Sequence, residues 1–501
     1  MPEFALLIRG YTLFKGFLQN CPTPFATLFV SLYLVSVSFA QTKLSKDEKA
    51  VLASLDEKYQ QYADIAHQIW NYAELGYQEE QSSQLLQKTL SEAGFSVEAG
   101  VAGIPTAFVA SYGSGEPVIG LLAEFDALPG MSQAAVPERE IKEEGKGGHA
   151  CGHHLFGTGS VAAAIAVKGW LSESGTSGTV RLYGTPAEEG GAGKVYMVRE
   201  GLFDDVDAVL HWHPGSRNSA SARSSLANKS AKFRFYGNSA HAAAAPEKGR
   251  SGLDGIEAMN MMVNMMREHV SAESRIHYVI TKGGDAPNIV PGFAESFYYV
   301  RHPEMQEVRD MFERVVKAAE GAALGTGTRM EYEVIHGIYN VLPNETLSEI
   351  MYQNLQAVGG VTYDEEEKAF AKQIQQTYDP GDATLASANQ VEPYTVSNRG
   401  TGGSTDVGDV SWMAPTAGMS AATWVPGTYA HSWQAVAAGG TSIGHKGMLV
   451  AAKTLALTAM DLFQKPEVTE EAREELMQKR GEDFAYNSLL GDREPPLDYR
   501  K

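Results

Sequence analysis

The chain has 501 residues, a formal net charge of −20, 43% hydrophobic residues, 51 glycines and 2 cysteines. That length exceeds one simple core and fits two domains plus appendages, and no heptad, short repeat or low-complexity tract marks a fibrous or disordered chain. The acidic balance excludes a surface built for nucleic acid or an anionic membrane, since either partner needs a positive field.

At the start, Arg9 and Lys15 precede the apolar run FATLFVSLYLVSVSFA, residues 25–40, which closes on small residues at Ser38 and Ala40. The pattern predicts a secretory leader over residues 1–40 and an exported protein, periplasmic or secreted, without stable membrane insertion after processing. A membrane anchor is the alternative, although the run is shorter than the ~20 apolar residues of a span. Removing the leader removes Cys21 and leaves Cys151 alone, so no intramolecular disulfide is possible and the lone thiol asks for a chemical reason.

Four apolar segments then read as strands: PVIGLLAEFDALPG, GTVRLYGTPAEEGG, DAVLHWHP and SAATWVPGTYAHS. Short continuous apolar runs suit strands covered on both faces, which predicts an α/β catalytic domain with a mainly parallel sheet flanked by helices. Ligands of such sheets bind beyond the carboxyl ends of the strands. Glu124, Asp126, Glu188, Glu189, His211, His213 and His431 all follow or end one of these segments. The stretch GKGGHACGHHLFGTGS, residues 145–160, adds His149, Cys151, His153 and His154 just before an alanine-rich helical pattern.

The first catalytic part is assigned to residues 41–224. Over residues 225–341 the pattern becomes strand, helix, two strands, helix, strand, a ferredoxin-like α+β insertion. Its Met-rich helix between Gly252 and Val270 reads as core, because thioethers fill irregular gaps. Residues 342–464 return to the catalytic domain, and the charged tail 465–501 reads as peripheral, without chemistry of its own.

Thiolate, imidazole and carboxylate together suit zinc, or manganese where oxygen ligands dominate. Adjacent glutamates at a strand end can divide two tasks, one binding metal and the other moving protons, because a carboxylate at hydrogen-bond distance accepts the proton of an acidified water. Each element has an ordinary alternative: a buried cysteine beside a surface histidine, a solvated Glu-Glu loop, interior histidines. Their convergence at the ends of one sheet favours two metal ions.

The segments AEFDALPGMSQ, HACGHHLFGTGS, PAEEGGAGKVYMVREGLFDDVDAVLHWHP, AHAAAAPEKGRSGLDG, APNIVP and STDVGDVSW resemble the metal-dependent amidohydrolases that include aminoacylases, glutamate carboxypeptidases and indole-acetyl-amino-acid hydrolases. The likeness runs from about Lys46 to Phe463. It implies two divalent ions, Zn or Mn, held by Cys151, His153, Glu189, His213 and His431, with Glu188 as general base and proton shuttle and Asp126 orienting a ligand or the water between the ions. Glu124 stands where relatives with a His-x-Asp motif carry a ligand, and the resemblance favours Cys151 over it. The insertion is implied to be a lid and dimerisation domain of a homodimer, its His241 reaching the neighbouring subunit's site to meet the oxyanion. Asn288 and Arg301 match positions that hold a substrate carboxylate, a task suited to a guanidinium fork. His154 departs from the Asp or Asn usual in relatives, and reads either as a displaced ligand or as a surface imidazole.

The expected function is hydrolysis of the amide between an acyl or aroyl group and an amino acid bearing a free carboxylate. A dipeptidase or carboxypeptidase on the same fold, a Cys151 nucleophile with His153 or His149 as base, and a silent ligand-binding protein are the competing readings.

Overall fold

A computed structural model describes residues 44–400 and 403–501; the expected leader lies outside them. The larger sheet runs in the order β1 (Ser96–Ala99), β2 (Phe108–Ser114), β4 (Gly178–Gly184), β3 (Val118–Ala123), β5 (Ala208–Gly215), β13 (Thr416–Ala422) and β6 (Ser219–Ala220). Pairings β4–β3, β3–β5 and β5–β13 are parallel, whereas β1–β2, β2–β4 and β13–β6 are antiparallel. The expectation of a mainly parallel sheet is therefore corrected to a mixed sheet with a parallel centre. All six residues of β3 are buried, as a strand covered on both faces requires, and this apolar signature was readable. The antiparallel margins are shorter or more exposed, β1 showing one partly covered and three exposed residues, so their direction left no comparable mark.

The helix His153–Ser174 packs on β3, β4 and β5 and against the long helix Ser442–Gln464. It is long and apolar enough to cross a membrane, yet 78% of its apolar window is buried inside this unit, which identifies a core helix. Small residues set how closely it lies. A Cβ on Gly157 would stand 2.7 Å from the Glu124 carbonyl oxygen, and one on Gly159 would stand 2.9 Å from the Trp212 ring. The glycines thus let the helix start, with His153, settle against the carboxyl ends of the parallel strands.

A second sheet runs β11 (Arg329–Ile338), β8 (Ala227–Tyr236), β10 (Phe293–His302), β9 (Arg275–Lys282), all antiparallel. Helices Gly252–Met266 and Met305–Thr326 cover one face and share a separate core with Phe233, Phe235 and Tyr298. The sequence order and strand order together form the ferredoxin-like arrangement. The Met-rich helix is only half core: Met259 and Met266 are buried, but Met261, Met262 and Met265 are exposed. A two-stranded parallel pair, β7 (Ala222–Arg223) with β12 (Val396–Ser397), lies near the junction.

Candidate metal centre

Strand ends of the parallel centre deliver most of the site. Glu124 and Asp126 follow β3, the Glu188–Glu189 loop follows β4, and His211 and His213 lie within β5. Cys151 and His153 come from the turn that opens the Ala-rich helix, where Gly152 adopts φ +79 and a Cβ would strike Pro214 at 2.6 Å. Only glycine meets both demands cheaply. His431 arrives from the loop after β13, itself in the left-handed region at φ 58. Its backbone N–H donates to the Ala150 carbonyl at 3.0 Å, which fixes an uncommon conformation beside Cys151.

Two sets of potential ligand atoms meet at Cys151: Cys151, His153 and His213, and Cys151, Glu189 and His431; a third comprises Glu124, His153 and Glu188. Within each set the atoms lie within 4.8 Å of one another. His153 Nδ1 donates to Asp126 Oδ1 at 2.8 Å, and His213 Nδ1 donates to the Pro214 carbonyl at 2.7 Å. Each contact fixes a tautomer that turns an Nε2 lone pair into the cluster, the usual arrangement of a ligating histidine. His213 Nε2 is 3.4 Å from Cys151 Sγ, and His431 Nε2 is 3.0 Å from Glu189 Oε1. His153 Nε2 and Glu124 Oε2 approach to 3.1 Å, yet both are buried without an aligned hydrogen bond. Two lone-pair atoms so placed fit a shared cation.

Electrostatics follow from burial against a dense acidic set. Burial, aided by Glu124, Glu189 and Asp406, holds the Glu188 carboxyl well above the usual range. Burial also opposes ionisation of Glu189, but the adjacent His431 and the nearby His153 keep its carboxyl below that range. The neighbouring glutamates are thus driven in opposite directions, as a divided acid–base and binding role requires. Burial pushes the Cys151 thiol up, so a free thiolate is disfavoured there unless a cation accompanies it.

A model of peptidase family M20/M25/M40 matches residues 120–435. One of the p-aminobenzoyl-glutamate hydrolase subunits of Escherichia coli is 45% identical over 450 residues, covering 85% of this chain and 94% of its own. The chain belongs to peptidase family M20/M25/M40. Similarity extends to the Xaa-Arg dipeptidase of Mus musculus, 30% identical over 467 residues with 90% and 96% covered. In fold the chain resembles a dinuclear metal-binding M20 peptidase from Bacillus subtilis, at a TM-score of 0.56 and 17% identity, covering 82% of this chain and 99% of that one. As an M20 member this protein is a metal-dependent hydrolase whose clusters suit a dinuclear divalent site.

Around these clusters lies a cleft of about 700 Å³, lined among others by Glu188, His213, His431, Tyr299 and Arg301. Arg301 reaches it from β10 of the smaller sheet. His241 and Asn288 do not enter the cleft of their own chain; both are exposed and adjoin each other, the Asn288 carbonyl accepting from the Ala242 N–H at 3.0 Å. His154 is neither displaced ligand nor surface imidazole. It is fully buried, bonded to the Gly439 carbonyl at 3.0 Å and packed on the His149 ring at 4.8 Å. Burial and His149 drive it well below the usual histidine range, while burial takes His149 to about 3. These two are neutral interior imidazoles supporting the turn.

Three contributors escaped the sequence reading. Lys194, fully buried, places Nζ 2.7 Å from both Glu124 Oε1 and Asp406 Oδ1. Despite burial, Asp406 and Glu124 raise its pKa, so the ammonium persists and engages one oxygen of Glu124. Buried Glu79 accepts from the Ala187 N–H at 2.8 Å and from Thr106 Oγ1 at 3.1 Å, and thereby holds the start of the Glu188–Glu189 loop, where Ala187 has φ 59. The tail, expected to be peripheral, instead returns to the site: Arg500 Nη2 and Tyr499 Oη donate to the Glu189 carbonyl at 2.7 and 3.1 Å. Lys194 sat in plain view six residues after Glu188, but only the fold reveals its two carboxylate partners.

Proposed function

We propose that this protein hydrolyses the linear amide of N-acyl or N-aroyl amino acids, with N-aroyl-glutamates as the first class to test. The observation that carries the reading is the pair of ligand sets meeting at Cys151 beside Glu188. The name of the Escherichia coli relative, 45% identical, points to an aminobenzoyl-glutamate amide. Cys151, His153 and His213 would hold one ion, and Cys151, Glu189 and His431 the other. Two ions bound there would supply Lewis acidity toward water and toward the amide carbonyl.

The chain's own residues carry the remaining work. Asp126 steers His153 through Oδ1 and anchors the Glu189 N–H through Oδ2, at 2.8 and 2.9 Å, which locks ligands of both sets to one carboxylate. Glu188 takes the proton of the attacking water and returns it to the leaving amine, the task of a general base placed beside the ligand sets. Arg301 receives the amino acid's carboxylate through its guanidinium. His241 of the partner subunit supplies a donor to the developing oxyanion.

That last role needs a homodimer. What supports one is the apolar surface of the smaller sheet's layer: Met261, Met262 and Met265 on the helix and Val279 and Ile280 on edge strand β9 are all exposed. Apolar side chains left exposed at this density, beside an unpaired edge, suit a protein interface. The test of the activity is a panel of N-acyl and N-aroyl amino acids incubated with metal-reconstituted protein, the released amine read by mass. Hydrolysis is expected for conjugates with a free carboxylate. Turnover of none, with stoichiometric ligand capture, would favour a silent binding protein instead.

A further inference from the structure

The segment after the last helix, Pro466–Arg480, is tied down at every few residues. Arg493 donates from Nη1 to the carbonyls of Val334 and Ile335 on β11 at 2.9 and 2.7 Å. The Glu494 carbonyl accepts from Tyr196 at 3.3 Å and the Leu497 carbonyl from Gln78 at 3.0 Å. The Tyr499 ring meets Tyr77 edge-on at 5.5 Å, its hydroxyl so close to Gly76 that a Cβ there would lie 2.1 Å away. A strap therefore runs from the smaller sheet to the Glu188–Glu189 loop and ends its path with Arg500 lining the cleft.

Arg500 spends Nη2 on the Glu189 carbonyl, but its Nε is buried with no hydrogen-bond partner. Arg301, which lines the same cleft, also has a buried Nε with no partner. Each guanidinium lies over a neighbouring tyrosine ring, Arg301 at 5.3 Å from Tyr299 and Arg500 at 4.8 Å from Tyr499. Both guanidiniums line one cleft of a chain whose net charge is −20, and the terminal N–H groups they still offer there suit a carboxylate.

We infer that Arg500 is a specificity-determining residue that binds a second substrate carboxylate, so that the cleft selects amides of dicarboxylic amino acids. The inference rests on the amidohydrolase reading above and adds the side-chain class of the amino acid. Arg301 takes one carboxylate and Arg500 the other, and glutamine or leucine conjugates leave the Arg500 fork unmet.

The test compares N-benzoyl-glutamate with N-benzoyl-glutamine, which differ in one charge at similar shape, on the full metal-loaded protein and its Arg500→Gln and Arg500→Lys variants. A charge-assisted hydrogen bond supports a preference of about tenfold or more. In Arg500→Gln the kcat/KM ratio between the two substrates is expected to collapse by about that factor, chiefly through KM, and Arg500→Lys is expected to restore part of it. A ratio unchanged in Arg500→Gln, whether both rates fall together or neither moves, overturns the inference and leaves the strap a structural tie. Calorimetric binding of free glutamate against glutamine to the same proteins decides independently of turnover. A glutamate preference lost in Arg500→Gln supports the assignment, and equal preference in both proteins refutes it. If the wild type cleaves neither conjugate, the proposed activity fails while the calorimetry still tests Arg500.

Discussion

Lys194 carries its charge with no exposed surface, held between Glu124 and Asp406. Removing one partner from a buried ionic group leaves the others uncompensated, a loss of about 3–5 kcal/mol. Lys194→Met is expected to destabilise the protein by that order in urea unfolding; a variant as stable as wild type would show the ammonium to be dispensable. For Glu188, replacement by Ala is expected to leave metal bound, as read by elemental analysis, while lowering turnover by at least about a hundredfold. Near-normal hydrolysis in Glu188→Ala would sink its role as proton carrier. Residues of this kind divide sharply in how far sequence revealed them. Cys151, His153, Glu188, Glu189, His213 and His431 stand beside strand or helix boundaries, where spacing itself hints at convergence. Lys194, Glu79 and Arg500 reach Glu124, Ala187 and Glu189, each 70 or more positions away in sequence, and no local pattern encodes such a pairing.

Among elements, the helix His153–Ser174 positions His153 of the cluster by lying close to β3, and Gly157 makes that distance possible. Gly157→Ala would press a methyl to 2.7 Å from the Glu124 carbonyl oxygen, so the helix must shift, at a cost of about 1–3 kcal/mol. Lower melting temperature together with weaker metal retention is the expected outcome; unchanged metal content would mean that the site tolerates the shift. The short helix Val407–Ser411 couples the tail to the same region. Burial pushes Asp409 up to about 7 from an ordinary 3.8, against the pull of the Tyr486 hydroxyl and the Tyr339 N–H. A carboxyl raised on folding contributes stability that is full below pH 3.8 and is lost as pH climbs to about 7. Tyr486→Phe removes a donor that favours the ionised form, so its loss, about 1 kcal/mol, is expected to be larger at pH 8 than at pH 5. Equal losses at the two pH values in denaturant titrations would contradict that assignment. The parallel centre of the large sheet was legible because β3, β4 and β5 are apolar runs, and the ferredoxin-like order was legible from alternation. Margin direction and the exposure of Met261, Met262 and Met265 were not, since both depend on what packs alongside.

At the scale of the whole molecule, the exposed apolar residues of the smaller layer and the position of His241 outside its own cleft support the proposed homodimer, in which each protomer would complete the other. Val279→Glu, at a residue 59% exposed, is expected to shift sedimentation from dimer to monomer and to lower kcat with little effect on folding; a dimer unaffected by this charge would place the interface elsewhere. As an amidohydrolase this chain works with two divalent ions, for which the sets sharing Cys151 are the proposed ligands. The most direct test of that chemistry is stepwise return of Zn or Mn to chelator-stripped protein while N-benzoyl-glutamate hydrolysis and bound metal are measured together. Activity is expected to vanish on stripping and to return as occupancy approaches two ions per chain. Hydrolysis that survives complete removal of metal, and is instead lost on alkylation of Cys151, would contradict that expectation and assign the chemistry to the thiol.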